Sequence, residues 1–161
     1  MSNLDDLYDG ADSDGPGTSE IPYDLKENIG YLLRTANQVA VARFNTYMAR
    51  IPAAGSVTTT QFATLTTIAR FPGISFSELS AFTSIDMPTL NSLISRLKDR
   101  DLVTVEVNPD DKRSRRIRLT PAGEDLAVVL TDHGHRVAAS ISARLTPNET
   151  GRLIRLLKKF I

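Results

Sequence analysis

Between residues 25 and 51 apolar side chains recur at steps of mainly three or four: Leu25, Ile29, Leu32, Ala36, Val39, Phe44, Tyr47 and Ile51. That spacing puts them on one face of an α-helix and predicts a long helix over about 23–50. Pro52 follows and Gly55 lies just beyond, which ends it. The 3.6-residue period returns from 58 to about 70, from 75 to about 82 and from 86 to about 100. In the last of these, Leu90, Leu93, Ile94 and Leu97 form the buried stripe. After Arg100 the period falls to two. In "LVTVEV" Val103, Val105 and Val107 face one way, Thr104 and Glu106 the other; in "RRIRL" Ile117 and Leu119 alternate with Arg116 and Arg118. Two strands joined by "NPDDKRS" predict a β-hairpin with a turn-rich tip. Two more helices are expected, over about 121–143 and 147–160.

The helix starts are marked chemically as well as by period. "VTTTQF" sets Thr58 as N-cap and Gln61 at N3, a capping box, with Val57 and Phe62 as the hydrophobic staple. "ISFSEL" repeats the device with Ser75 and Glu78, stapled by Ile74 and Leu79. "LTPNE" gives Thr146 as cap, Pro147 at N1 and Glu149 at N3. "LTPAG" gives Thr120 as cap and Pro121 at N1, where the missing N–H costs nothing.

Composition narrows the class. The 161 residues suit one domain, and 41% of them are hydrophobic, enough for a core. The longest apolar runs are short, such as "LAVVL" at 126–130, far from a membrane-spanning length. The start of the chain lacks a basic flank followed by an apolar stretch, so no signal peptide and a cytoplasmic location are expected. Cysteine is absent, which excludes disulfides, thiolate metal sites and thiol redox sensing within these residues.

The formal net charge of zero conceals an asymmetry. Residues 1–20 carry Asp5, Asp6, Asp9, Asp12, Asp14 and Glu20 with no Lys or Arg. Removing those six from 19 acidic residues leaves 13 against 19 basic, an excess of about six cations over the rest. The stretch 1–20 has few large apolar groups and is expected to be a disordered, solubilising tail.

Element order gives the cations a use. A short helix, a tight turn and a second helix form a helix-turn-helix, whose second member can enter a DNA major groove. The hairpin beside it is a wing, and Lys112, Arg113, Arg115 and Arg116 can reach phosphates and the narrow minor groove. On the second helix the buried stripe leaves Met87, Pro88, Thr89, Asn91, Ser92, Ser95 and Arg96 outward. Asn and Ser can hydrogen-bond base edges, and Met or Pro can touch a thymine methyl. Asp86 reads as a helix cap rather than a base reader, since phosphates repel it.

These segments resemble the MarR family of winged helix-turn-helix transcription regulators. "NPDDKRSRRIRLTPAGEDL" is similar to that family's wing signature at Asp111, Arg113, Leu119, Thr120 and Gly123, and "DMPTLNSLISRLKDRDLV" is similar to its recognition helix. Asp101 departs from the pattern, standing where the family usually has Gly, and Ser92 stands where relatives often carry Arg. The resemblance spans roughly 25–161. It implies a mainly α fold with a small two- or three-stranded antiparallel β wing. Residues 21–52 and 121–161 would supply dimerisation helices, and 53–120 the DNA-binding lobe. It implies that Arg113 enters the minor groove and Asp111 orients it. The function implied is a sequence-specific regulator of double-stranded DNA, a repressor released by a small organic effector such as an aromatic acid or aryl thioester.

One wing and one helix cover only a half-site, so a twofold-symmetric operator calls for a homodimer. The stripe Leu153, Ile154, Leu156, Leu157, Phe160 and Ile161 also asks for a cover. For the effector, Arg43 interrupts an apolar face beside Phe44 and Tyr47 and can hold a carboxylate, although an ion-pair partner is the commoner role. His133 lies on the stripe of Leu126, Val129, Leu130, Val137 and Ile141 and reads first as a core or interface histidine. His135 points elsewhere, so that pair does not make a metal site. No nucleophile elbow, phosphate loop or zinc motif is present, and neither catalysis nor a cofactor is expected. The rival reading is a winged-helix protein–protein module, which would show almost no salt dependence toward random duplex.

Overall fold

The computed structural model describes residues 24–52, 57–109 and 111–160. The acidic stretch 1–20, Gly55 and Ile161 lie outside the described residues. The elements run α1 (Ile29–Met48), α2 (Thr59–Arg70), β1 (Ile74–Ser75), α3 (Phe76–Thr83), α4 (Met87–Asp99), β2 (Val103–Val107), β3 (Arg115–Leu119), α5 (Pro121–Ile141) and α6 (Pro147–Leu157). This is the expected mainly α architecture with a three-stranded antiparallel sheet, ordered β1-β3-β2.

The local signals set most boundaries. All three capping boxes close: Thr58 with Gln61, Ser75 with Glu78, and Thr146 with Glu149. Each satisfies two backbone donors that a helix start otherwise strands. Thr120 caps α5 by accepting from the Gly123 amide. The first helix begins later than its apolar period suggests. Asp24 caps a single 3-10 turn, Leu25–Glu27, and Asn28 then accepts from the Tyr31 amide to start α1. Asn is among the strongest N-caps, and its own extended backbone (φ −76°, ψ 123°) interrupts the helix that periodicity alone would run through.

The core lies where α2, α3, α4, the sheet and α5 meet. Leu65, Ile68, Leu79, Leu90, Leu97, Ile117 and Leu130 are fully buried there. Burying each contributes about 1.5–3 kcal/mol by transfer from water. All four predicted stripe residues of α4 are inside. Val103 pairs with Leu119, Val105 with Ile117 and Val107 with Arg115. The three valines share a face as expected, but burial fades along it and Val107 is exposed, because the ribbon extends past the edge of the core.

The turn out of α4 explains two residues of the wing signature. Asp101 adopts φ 55°, the left-handed region, with the Leu102 amide donating to the Leu97 carbonyl at 3.0 Å and the Asp101 amide to Lys98 at 2.9 Å. That is the Schellman motif, whose C′ position favours glycine. Asp tolerates it at some cost. Thr120 then fastens the turn to α5: its amide donates to the Leu102 carbonyl and its hydroxyl to the Asp101 carbonyl. Gly123 passes so close that a Cβ there would collide with the Leu102 carbonyl oxygen. Only glycine fits.

Candidate nucleic-acid interface

The turn between α3 and α4 aims the second helix outward. Ser84 takes a left-handed conformation (φ 55°) at the end of α3, and the Ser80 hydroxyl donates to the Ile85 carbonyl at 2.6 Å. Asp86 then caps α4, accepting from the Thr89 amide at 2.9 Å. That bond holds its carboxyl below the ordinary value, so it stays anionic and committed to the helix start. With the apolar stripe facing the core, Met87, Pro88, Thr89, Asn91, Ser92, Ser95 and Arg96 are all exposed. The Arg96 Nε donates back to the Ser92 carbonyl at 3.3 Å, laying the guanidinium along the helix.

The wing tip is built by backbone and Asx bonds. The Asn108 amide donates to the Ser114 carbonyl at 2.9 Å and the Ser114 amide to the Asp111 carbonyl at 2.9 Å. The Asp111 carboxylate accepts from the Arg113 amide at 3.0 Å. Asp111 therefore holds Arg113 by its backbone, and the guanidinium is left to project. Lys112, Arg113 and Arg115 are exposed, and among the described residues none of them forms an ion pair. Their charge faces water, ready for phosphate. Arg116 is different: its Nη1 donates to the Gly73 carbonyl at 3.0 Å, in the turn that precedes α3. Arg118, on the same face of β3, lies 3.9 Å from Glu106.

A groove of about 610 Å³ opens between α2, β3 and α5, with Ile68, Ala69, Leu119, Ala127 and Val128 beneath and Arg118, Glu124, Asp132 and His135 among the polar groups around it. Arg43, Tyr47 and His133 do not border it within one chain. Arg43 donates instead to the Ser140 carbonyl at the end of α5, where a cation suits the helix dipole. Tyr47 is half-buried against the core with the Arg50 guanidinium 5.8 Å from its ring centroid. His133 is half-buried, while His135 is exposed and lines the groove. The sequence had already placed His135 on a different face from the apolar stripe, and the packing of α2 and β3 turns that face into a groove wall.

Comparison with known proteins agrees with this geometry. Residues 56–114 match the MarR family profile. The chain is 31% identical over 140 residues to the HTH-type transcriptional repressor NicR of Pseudomonas putida, covering 87% of this chain and 86% of that one. It is 32% identical to Bordetella bronchiseptica BpsR, whose DNA binding is regulated by 6-hydroxynicotinic acid. That structure superposes with a TM-score of 0.79 and covers 86% of this chain and 96% of BpsR. A mutant MarR from E. coli complexed with operator DNA is 28% identical, with a TM-score of 0.74 over 83% of this chain and 93% of that one. An outward helix beside a cationic ribbon, together with likeness at this level over nearly the whole fold, leads to one conclusion: the chain belongs to the MarR family of transcription regulators.

Proposed function

We propose that this protein is a sequence-specific, double-stranded DNA-binding repressor that acts as a homodimer and releases its operator when a small organic effector binds. The observation that carries the reading is the exposed polar face of α4 beside a wing whose Lys112, Arg113 and Arg115 have no ionic partner among the described residues. In this reading α4 contacts base edges through Asn91, Ser92, Ser95 and Arg96, while Thr89, Met87 and Pro88 meet phosphate or thymine methyls. The wing cations, Arg113 foremost, track the backbone and minor groove.

Residues 21–52 and 121–161 serve as dimerisation helices. The support is apolar surface that one chain leaves open: Leu25, Ile29, Leu32 and Val39 at one end, Ile141, Leu145 and the α6 side chains at the other. The effector class follows from the relative whose DNA binding answers to 6-hydroxynicotinic acid, which points to small aromatic or heteroaromatic acids. Such a ligand acts only through its preference for one spacing of the two α4 helices over the other.

Selection of bound duplexes from a random pool tests the reading. A twofold-symmetric consensus is expected, and the affinity for it should fall steeply as salt rises. Failure to enrich any sequence would defeat the proposal.

A further inference from the structure

Of the four wing cations, three point into solvent and one is turned inward. Arg116 lies on β3 opposite Ser75 of β1. Its Nη1 reaches the Gly73 carbonyl at 3.0 Å and lies 4.0 Å from the Glu78 carboxylate. That carboxylate is already engaged by the Ser75 amide at 2.9 Å and hydroxyl at 2.7 Å, in the box that starts α3. The Gly73 amide in turn donates to the Ile117 carbonyl at 3.0 Å. Gly73 itself sits at φ 82°, and a Cβ there would stand 3.1 Å from the Arg118 guanidinium. Arg116 thus bonds to the turn between α2 and α3, and the Arg118 guanidinium stands beside that turn while pairing with Glu106.

We propose that Arg116 is a positioning residue for DNA binding: its guanidinium clasps the wing to the turn before α3, fixing the spacing between the ribbon tip and α4. The proposal rests on the DNA-binding reading above. A two-stranded ribbon has little stability of its own, and β1 adds only two residues to it. The surface ion pair with Glu78 adds little. The hydrogen bond to the Gly73 carbonyl, in a half-buried setting, ties the strand to the helices. A specific site needs tip and helix in register at once, so preorganising the angle between them strengthens specific binding. Binding to random duplex depends on the number of cations near phosphate and is indifferent to that angle.

The two roles separate experimentally. Titrate the full-length protein against the selected operator and against a random duplex over a range of salt, using Arg113→Ala as the reference for a phosphate contact. Arg116→Ala is expected to lose about tenfold on the operator while its affinity for random duplex and its log–log salt slope stay at the parent's values. Arg116→Lys, which keeps a donor of similar reach, is expected to recover most of the loss. In the free protein, the Gly73 amide is expected to exchange with solvent faster in Arg116→Ala than in the parent. A slope lowered by about one, as for Arg113→Ala, would make Arg116 a phosphate contact and overturn the clasp. Unchanged operator affinity would overturn it as well. If the parent protein itself shows no salt-dependent DNA binding, the underlying DNA reading fails instead, so the two failures are distinct.

Discussion

The lobe built from α2, α3, α4, the sheet and the start of α5 closes its core within one chain, whereas α6 and the first turns of α1 leave their apolar faces open. Leu65, Leu79, Leu90 and Ile117 have no accessible surface. In α6 no residue is buried, and Leu153, Ile154, Leu156 and Leu157 all stand open. The same helix has a capping box as complete as those of the lobe. Local chemistry therefore starts both kinds of helix equally well, and what differs is whether a single chain supplies something to pack against. Exposed apolar surface of that extent marks an interaction face. It belongs to the part of the molecule for which a second copy is proposed.

The contrast can be broken most severely from the lobe side. Leu65→Ala should cost about 2–5 kcal/mol in chemical denaturation, by lost transfer energy plus a cavity, and the cost should not depend on protein concentration. A concentration-dependent loss would mean that the lobe is not self-sufficient. On the other side, Ile154→Asp places a charge on a residue that is 49% exposed in one chain. In a lone chain such a surface change stays within about 0.5 kcal/mol. In a dimer it buries an unpaired charge, so light scattering should show monomers and operator binding should collapse. A dimer of unchanged affinity would remove α6 from the joint.

Gly134 lies on α5 where it crosses α2, and a Cβ there would come within 2.6 Å of the Phe62 ring. Gly134→Ala should destabilise by about 1–3 kcal/mol, as overpacking does. Thermal unfolding would show it, and Phe62→Leu in the same chain should restore part of the loss. A smaller effect of opposite sign is expected at Asp101. Asp101→Gly removes the left-handed strain at the exit of α4 and should stabilise by about 0.5–1 kcal/mol. A lowered melting temperature would indicate that the carboxylate helps the turn in a way the backbone does not reveal.

The weakest perturbation is acid, and it acts on both regions. Hydrogen bonds from Ser75 hold the Glu78 carboxyl below its ordinary value, with the nearby Arg116 a lesser cause, and bonds from Thr146 do the same for Glu149. A carboxylate with a lowered folded pKa binds fewer protons when folded. Its stabilising effect is complete above the ordinary value near 4.5 and drains away as pH falls below it. Melting curves below about pH 4.5 should therefore shift downward, and the shift should be smaller in Glu149→Gln than in the parent. An identical acid response in both would separate that cap from acid stability.

Much of the site was readable from residue order because its signals are local. The box at Ser75, the cap at Asp86 and the stripe from Leu90 to Leu97 involve partners within a few residues, so the exposed face of α4 follows by subtraction. The wing was readable as a period-two pattern around a turn-rich tip. What each wing cation meets on its face of the ribbon was not. Arg115 and Arg116 are neighbours of the same type, yet one faces solvent and the other Gly73, 43 residues away in the chain. The strand β1 was not read as a strand, since two residues carry no period and exist as a strand only by pairing with β3. The groove beside His135 needed α2, β3 and α5 brought together before any lining residue could be named.

By itself the sequence determined where every helix but the first begins, which faces are apolar, and that a cationic hairpin follows a helix-turn-helix. Those features depend on periodicity and on bonds spanning three or four residues. The tertiary structure alone decided which wing cation turns back to the Gly73 carbonyl and why a side chain at Gly123 or Gly134 meets its neighbours too closely. It also decided which apolar stripes stay uncovered. Each is a matter of distance between segments far apart in the chain, which packing of the whole fold creates and no local pattern encodes.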